Sequence, residues 1–414
     1  MEVKSDIKKR IDEYISSTGK VGIKEGKRWR AAYTKEDKEI RQLFREIMEK
    51  EGLISEVDAI GNLYGKIKNI NMDKPMEKII IGSHMDTVKN GGAYDGAAGI
   101  IIGILALSQV LKLYGNPKIP VEVVALVEEE GSRYSMGYVG SRAIVHGLTE
   151  KELFAKDENG ISLGDALNRF GYNPNTVNKA KRDDIKAYLE VHIEQGPVLN
   201  TNKKKIGIVE KITGLNVLEV SVKGREDHAG TTPMNLRKDA LTAAANLITK
   251  IEKIATSFTE PFVATVGKIN VSPGAVNVIP GKVEMVLEMR DLEQDKIDLA
   301  IEKFKTEAKK IENAKIVFNK MIQKPPVETD NKIQNIIEKA CNDNNISYKF
   351  MASGAGHDAK EIARKIPSGM IFVPSKDGKS HCPEEWTNWD DIYRGVEVLL
   401  NTILLLDHKM SESI

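Results

Sequence analysis

The stretch of residues 78–110 constrains this chain more than any other. It opens with three consecutive isoleucines, the signal of a buried strand, and then turns polar. His84, Asp86 and Asp95 follow, and a long apolar helix is predicted from Ala97. A strand that delivers an imidazole and carboxylates at its end, followed by a helix, is how α/β folds build sites beyond the sheet. These side chains suit a divalent metal such as zinc, although a solvated surface turn is the alternative for this stretch alone.

The next buried strand also ends in acidic residues. Residues 121–127 form a Val-rich run typical of a strand buried on both faces of a mainly parallel sheet. Glu128, Glu129 and Glu130 come directly after it. Three carboxylates at the end of a buried strand cost too much desolvation unless a cation or water takes them up. A solvated acidic loop is the alternative.

The histidines are concentrated in loops of one kind. Five of the seven lie in polar, glycine-flanked loops, where small neighbours let a backbone or ligand approach: His84, His192, His228, His357 and His381. A single loop histidine is usually a surface group, but five of seven favour a shared site. With Asp86, Asp95 and the three glutamates they supply enough ligands for two metal ions that share a carboxylate. Two ions roughly 3.5–4 Å apart suit a hydrolysis.

The order of predicted elements indicates two domains. Residues 212–325 read as two helices on an antiparallel sheet, and the flanking residues 1–211 and 326–414 read as alternating strands and helices. Lys324-Pro325-Pro326 is a plausible hinge between them. We therefore predict an α/β fold: a mixed, mainly parallel sheet with helices on both faces forms a discontinuous catalytic domain. An α+β lid domain is inserted into it.

Composition excludes several classes of function. The 61 basic and 60 acidic residues balance, so no electrostatic footprint for nucleic acid or an anionic membrane is expected. The longest apolar run, Gly99 to Leu107, is too short to span a bilayer, and the N-terminus lacks the apolar segment of a signal peptide. Two cysteines give no disulfide framework. A cytoplasmic protein with no membrane or nucleic-acid partner is the expectation.

A set of motifs resembles one known family. They are HMDTV, YDGAAG, EEEGS, HIEQG, DHAGTTPM, NVIPG, SGAGHDA and a late SH, spread from Val57 to Leu406. Together they resemble the M20 metallopeptidase superfamily. More narrowly, they resemble its amidase/carbamoylase branch, which includes N-carbamoyl-L-amino acid hydrolases, β-ureidopropionases and allantoate amidohydrolases.

The resemblance implies five ligands for two divalent metal ions. They are His84 and His192 for one ion, Glu130 and His381 for the other, and Asp95 as the bridge. Zinc is the expected metal, with manganese, cobalt or nickel as alternatives. Related sites also imply a cis peptide bond between Asp95 and Gly96.

The same resemblance assigns catalytic roles. Asp86 would orient His84 and raise its basicity. Glu129 would be the general base and acid, which leaves Glu128 as a neighbour whose part in the site stays open. His228, on the inserted domain, would donate a hydrogen bond to the oxyanion. In the resembling homodimers this histidine comes from the partner subunit, so a homodimer with His228 acting in trans is expected.

Substrate binding is implied for four residues. Gln195 resembles the residue that binds the ureido group, and Asn277 with Arg290 resembles a clamp for the substrate carboxylate. A surface ion pair of Arg290 with Asp291 or Glu288 is the alternative. His357 either contacts the substrate or is a hydrogen-bonded residue lining the site.

These expectations lead to one function. It is metal-dependent cleavage of the carbamoyl C–N bond of N-carbamoyl-L-amino acids to amino acid, CO2 and ammonia. Leu215 and Asn216 stand where allantoate enzymes tend to carry a polar Gln-Arg pair, which favours a hydrocarbon side chain over allantoate. Allantoate amidohydrolase and β-ureidopropionase are the alternatives, and an M20 peptidase is less favoured. The non-enzymatic alternatives are a binding module that kept the fold and lost a metal ligand, and a structural protein whose inserted domain serves only to dimerise.

Overall fold

The computed structural model describes residues 2–68 and 76–411. Its α-helices are α1 Glu2–Thr18, α2 Lys35–Lys50, α3 Ala97–Tyr114, α4 Val139–Val145, α5 Glu150–Leu153, α6 Leu163–Phe170, α7 Val198–Thr201, α8 Ala240–Ala255, α9 Gln294–Lys309, α10 Asn331–Asp343, α11 Asp358–Ile362 and α12 Trp389–Ser411. Its strands are β1 Ile23–Lys24, β2 Lys27–Arg28, β3 Leu53–Val57, β4 Leu63–Ile67, β5 Lys78–His84, β6 Val121–Leu126, β7 Ile185–Ile193, β8 Ile206–Ile212, β9 Gly214–Lys223, β10 Asp227–His228, β11 Val263–Ser272, β12 Val278–Ile279, β13 Lys282–Asp291, β14 Lys315–Lys324, β15 Val327–Glu328, β16 Tyr348–Ser353 and β17 Ser368–Val373.

The chain divides into two compact units. The first contains Met1–Glu210, Glu328–Met351 and His357–Ile414, and the second contains Lys211–Val327 with Ala352–Gly356. The predicted insertion, residues 212–325, lacks this last short segment of the second unit. Sequence patterns place that segment with the residues that follow it because SGAGHDA reads as one motif.

The first unit is built on a large mixed sheet. Seven of its nine strands follow the order β8, β17, β7, β5, β6, β4 and β3. Among these seven the central four are parallel and the outer pairs are antiparallel. All seven residues of β5 and all six of β6 and β17 are buried. Parallel strands buried on both faces are expected to be rich in branched apolar residues, as these are. The predicted α/β fold class, with helices on both sides of a mixed sheet, is confirmed.

Helix α3 forms the centre of the first unit's core. It is buried from Ala97 to Val110 and packs against β5, β6 and β7. By length and composition it could cross a membrane, but 78% of its 18 residues are buried inside the protein. The apolar run from Gly99 to Leu107 is only the middle part of this helix. Its burial is the pattern of a core helix, since such helices satisfy the same criteria.

The second unit is a smaller α+β structure. Four antiparallel strands in the order β11, β13, β9 and β14 form its sheet. Along β13 buried and half-buried residues alternate, so one face of the sheet is covered. Its buried apolar residues pack with those of α8 and α9 in a core of their own. The predicted layer of two helices on an antiparallel sheet is present.

One expectation about the backbone is wrong. Among the described residues the cis peptide bonds are Glu260–Pro261 and Ser272–Pro273, so the bond between Asp95 and Gly96 is not cis. Gly96 instead has φ 65°, a left-handed value that glycine adopts at no steric cost. A Cβ at this position would also overlap the backbone oxygen and imidazole of His84. The tight turn before α3 is therefore made by the positive φ of Gly96 and not by a cis peptide bond.

Candidate metal centre

Strand register brings two predicted ligands together at one end of the sheet. Gly82 of β5 pairs with Glu190 of β7, and each is two residues before a histidine. Because side chains two residues apart share a face, His84 and His192 emerge side by side from the carboxyl ends of parallel strands. Their Nε2 atoms are 3.4 Å apart, and their rings stack at 27° with centroids 5.6 Å apart.

These histidines form the inner half-site with one oxygen of Asp95. Asp95 Oδ1 lies 3.3 Å from His84 Nε2 and 3.1 Å from His192 Nε2. The Nδ1 atom of His192 lies 2.9 Å from the carbonyl of Ile193, and that of His84 lies 3.2 Å from the carbonyl of Asp86. When Nδ1–H donates to a carbonyl, the lone pair on Nε2 is free to bind a metal.

The other oxygen of Asp95 belongs to the outer half-site. Asp95 Oδ2 lies 3.1 Å from His381 Nε2, which lies 3.7 Å from Glu130 Oε2. His381 stands in the loop after β17, with φ 56°, and 49% of its side chain is exposed. The two oxygens of Asp95 thus face two different groups of donor atoms, each with its atoms within 4.8 Å of one another.

The chemistry of both half-sites fits a divalent cation. Asp95 Oδ1 is buried and has no hydrogen-bond partner of adequate geometry despite its two imidazole neighbours. Burial opposes ionisation of Asp95, but its three imidazole neighbours, His192 foremost, hold the pKa of its carboxyl well below the ordinary value. A buried carboxylate with an unsatisfied oxygen, facing imidazole nitrogens, is a donor set that zinc and similar ions accept.

Asp86 fixes the glutamate loop from below. Its carboxylate oxygens accept hydrogen bonds from the backbone N–H of Glu129 at 3.0 Å and of Glu130 at 3.1 Å. The same carboxylate is 3.8 Å from His84 Nδ1, farther than the main-chain carbonyl of Asp86. In this structure, then, Asp86 meets His84 mainly through its carbonyl and meets the glutamates through its carboxylate.

The three glutamates point in different directions. Glu128 Oε1 accepts hydrogen bonds from the backbone N–H groups of Arg133 and Tyr134, so the carboxylate of Glu128 binds the loop that follows it in sequence. Glu130 reaches His381, and Glu129 Oε2 lies 3.9 Å from His84 Nε2. The sequence left open whether Glu128 takes part in the site, and these contacts indicate that it stabilises the loop.

Buried negative charge raises the carboxyl pKa values in this loop. Burial, followed by the charge of Asp95, raises the pKa of Glu130 to about 8. Burial and the charge of Asp86 raise that of Glu128 to about 8, and burial raises the pKa of Glu129 well above its ordinary value. A pocket that makes carboxylates hold protons is one that favours a bound cation or a proton-transfer role.

Two predicted substrate-binding residues lie beside these ligands. Gln195 Nε2 donates to Asp95 Oδ2 at 2.9 Å, and its backbone N–H donates to Ser375 Oγ at 3.0 Å. The ring of His357 is buried 4.5 Å from that of His192. Burial, followed by the neighbouring His192, lowers the pKa of His357 well below its ordinary value, so this imidazole is neutral.

The remaining predicted residues belong to the second unit. His228 is exposed on β10, which pairs with β12, and the backbone carbonyl of Asn277 accepts from Ala229 N–H at 3.0 Å. Arg290, on β13, donates to Glu288 Oε1 at 2.7 Å and to the carbonyl of Gly354 at 3.0 Å. The ion pair with Glu288, the alternative for this arginine, is thus present.

The sequence analysis missed several buried residues that form hydrogen bonds with the loops carrying the predicted ligands. Glu385 is buried and receives the backbone N–H groups of Tyr94 and Asp95. Ser380 lies between Glu385 and Asp95. Glu190, inside β7, accepts from Ala359 N–H near His357. The available signals were an acid inside an apolar strand and an acid four residues after His381, neither of which specifies a partner.

Comparisons with known proteins agree with this geometry. The sequence model of peptidase family M20/M25/M40 matches residues 80–405. An N-carbamoyl-L-amino-acid amidohydrolase of Paenarthrobacter aurescens is 35% identical, covering 91% of this chain and 93% of its own. An allantoate amidohydrolase of Bacillus subtilis is 35% identical over 97% of this chain and 98% of its own.

Solved structures give the same placement. The crystal structure of an amidase of the hydantoinase/carbamoylase family from Burkholderia multivorans superposes with a TM-score of 0.85 at 30% identity, covering 96% of this chain and 97% of that one. Because its relatives are amidohydrolases, this protein is an amidohydrolase that acts on C–N bonds other than peptide bonds. The chain belongs to peptidase family M20/M25/M40, in its amidase/carbamoylase branch.

Proposed function

We propose that this protein hydrolyses N-carbamoyl-L-amino acids to the amino acid, CO2 and ammonia, with two divalent ions, zinc by preference. The observation that carries the proposal is Asp95, whose two oxygens face two separate donor groups beside the buried Glu129. Related proteins named for carbamoyl amino acids and for allantoate support the reaction class. Allantoate and β-ureido acids are the alternative substrates. The cytoplasm remains the predicted location.

The ligand sets define what bound ions contribute. His84, His192 and Asp95 would hold one ion, and Asp95, Glu130 and His381 the other. Ions there would supply Lewis-acid activation of water and of the substrate carbonyl. Manganese, cobalt and nickel accept the same nitrogen and oxygen donors, which makes them alternatives to zinc.

Glu129 performs the proton transfers. Its buried carboxyl has a raised pKa, so it can take a proton from the attacking water and keep it until the leaving nitrogen needs it. Asp86 accepts from the backbone N–H of Glu129, which limits the movement of the Glu129 carboxylate between the two proton transfers. Neutral His357 lines the site without adding charge.

His228 is suited to stabilise the oxyanion. Its Nδ1 accepts hydrogen bonds from the backbone N–H groups of Gly230 at 2.9 Å and Thr231 at 3.2 Å. These bonds assign the proton of the neutral ring to Nε2, which is then a donor on an exposed edge. A donor held in one tautomer needs no reorganisation when negative charge develops on the substrate oxygen. We propose that it serves the partner subunit of a homodimer.

The substrate would be a ureido acid with a free carboxylate. Gln195 would bind the ureido group, and Asn277 with Arg290 would bind the carboxylate. The guanidinium of Arg290 has its Nε on Glu288, so carboxylate binding must compete with or extend that ion pair. Leu215 supports a hydrocarbon side chain on the substrate.

A substrate panel tests the proposal. The zinc-loaded protein is assayed for ammonia release from N-carbamoyl amino acids with hydrocarbon side chains, from N-carbamoyl-β-alanine and from allantoate. We expect the highest kcat/KM for the first group. The matching amides of these acids should be poorer substrates, and Arg290→Ala should narrow that difference. Preference for allantoate would establish the alternative, and absence of hydrolysis with two ions bound would refute the proposal.

A mixed dimer tests the origin of His228. His228→Ala and Glu129→Gln should each be inactive, because one lacks the oxyanion donor and the other lacks the base. In a dimer with one chain of each kind, the chain that keeps Glu129 receives His228 from its partner, so one site is complete. Activity should return on co-refolding. Mixed dimers that are verified by mass and remain inactive would place His228 in its own chain's site.

A further inference from the structure

Glu385 lies beneath the loop that carries Asp95. Its side chain is buried, and Oε1 accepts the backbone N–H groups of Tyr94 at 2.9 Å and Asp95 at 3.0 Å. The other oxygen, Oε2, accepts from Ser380 Oγ at 2.7 Å. One carboxylate therefore joins the loop before α3 to the loop that carries His381. Hydrogen bonds to a charged acceptor are among the stronger ones in proteins.

Gly92 makes room for this carboxylate. A Cβ built on Gly92 would overlap Oε1, the carboxyl carbon and Cβ of Glu385. Gly92 does not have a positive φ among the described residues, so no backbone turn demands a glycine there. The close approach of Glu385 is what demands it. The loop is thus shaped around an acid that is 290 residues away in sequence.

Ser380 stands between two carboxylates that compete for one proton. Its Oγ is 2.7 Å from Glu385 Oε2 and 3.2 Å from Asp95 Oδ2. A hydroxyl has a single proton to donate, and the shorter contact receives it. Asp95 Oδ2, the oxygen of the outer half-site, then accepts from Gln195 Nε2 at 2.9 Å but not from this hydroxyl, and it keeps its other lone pair for a cation.

We infer that Glu385 is a positioning residue for the bridging carboxylate: it fixes the backbone of Asp95 and draws the Ser380 proton away from Asp95 Oδ2. The inference rests on the proposed role of Asp95 as a metal bridge. It assigns to the outer half-site a supporting residue that contacts neither substrate nor metal.

Glu385→Gln separates the two contributions. The glutamine Oε1 can still accept from Tyr94 and Asp95, but its Nε2 donates to Ser380 Oγ. Ser380 must then direct its proton to Asp95 Oδ2, which occupies the lone pair that the outer ion needs. Glu384→Gln is the matched control, because this neighbouring glutamate is exposed.

The experiment is zinc titration of the metal-free protein by calorimetry, with stoichiometry checked by elemental analysis and folding by thermal melting. We expect two ions for the wild type and for Glu384→Gln. In Glu385→Gln the affinity for the second ion should fall by roughly 10–100-fold, as for other residues that support metal ligands, with the first ion little changed. The metal-free melting temperature should stay close to that of the wild type.

The double variant Glu385→Gln with Ser380→Ala decides the mechanism. Removing the hydroxyl removes the misdirected proton, so the second ion should regain most of its affinity. Unchanged second-ion affinity in Glu385→Gln, or no recovery in the double variant, would overturn the inference. A wild type that fails to bind two ions would instead refute the proposed dinuclear function, so the two failures are distinguishable.

Discussion

The two half-sites around Asp95 differ in how they meet solvent. In the inner half-site both partners, His84 and His192, are buried and come from the ends of neighbouring strands. In the outer half-site one partner, His381, is about half exposed and stands in a loop, and Glu130 is the other. The bridging residue is the same, so the contrast comes from the elements that deliver the remaining ligands.

This difference predicts unequal affinities. The inner imidazoles are placed by sheet hydrogen bonds and need little ordering when an ion binds, which favours tight binding. The outer ligands lie on loops, and Glu130 must lose a proton because the pKa of its carboxyl is raised to about 8. Binding of an ion at the outer half-site therefore costs free energy for ordering the loops and for removing the proton of Glu130. We therefore expect a retained inner ion and an exchangeable outer ion.

The largest expected effect tests whether catalysis needs more than the two half-sites. Glu129→Gln should retain both ions but lower kcat by roughly 10²–10⁴-fold, the usual contribution of a general base. Glu128→Gln is the control, since a glutamine oxygen can still accept from Arg133 and Tyr134. Elemental analysis and ammonia release are the measurements. Near-normal turnover of Glu129→Gln would move the base elsewhere in the glutamate loop.

The next effect separates the half-sites by their histidines. His84→Ala removes a buried ligand and leaves a cavity next to Asp95, so it should lose the inner ion and lower the melting temperature. His381→Ala removes a half-exposed ligand, so it should lose only the outer ion with little change in melting. Metal content after gel filtration measures both. Graded treatment of the wild type with a chelator should likewise remove one ion before the other, and loss of both together would contradict the contrast.

The smallest expected effect is in proton release. In the metal-free protein the pKa of Glu130 is raised by burial to about 8, and hydrogen bonding to Asp95 raises that of His381 to about 9. Glu130 and His381 together therefore bind more protons in the folded metal-free chain than in the unfolded chain between pH values of 4.5 and about 9. Its stability should fall as pH rises through this window.

Metal loading should reverse this proton uptake. At neutral pH, binding of the outer ion should release protons from Glu130 and His381, and the release should fade above the raised pKa values. Calorimetry in buffers of different ionisation enthalpy measures the number released. His381→Ala should release fewer protons than the wild type. Equal release across the whole pH range would show that these groups do not change protonation on binding.

The sequence predicted the parts of the site that depend on strand ends. His84, His192 and the glutamates were found because apolar runs mark buried strands and the polar residues after them meet at one sheet edge. Helix α3 begins at Ala97, where the apolar pattern predicts it. A cis bond was predicted where the structure has a positive φ at Gly96, because a sequence motif does not specify which backbone geometry a tight turn adopts.

Contacts between distant residues could not be predicted in this way. Glu385 and Gly92 are far apart in sequence, and each alone reads as an ordinary surface acid and a loop glycine. Their relation appears only when the carboxylate is seen to fill the space a Cβ would take. The same holds for Asp86: the family resemblance implied His84 as its partner, whereas its carboxylate accepts from two backbone N–H groups.

The position of β17 between β7 and β8 has a consequence for synthesis on the ribosome. Both flanking strands leave the ribosome long before β17, because nearly all of the second unit is translated in between. The nascent first unit therefore carries an unpaired parallel edge on β7 until residues 368–373 arrive. Exposed strand edges promote wrong pairing, so we expect the chain to be most prone to aggregation during this interval. We expect a chain truncated before this strand to have an incomplete sheet and to aggregate, in addition to lacking His381.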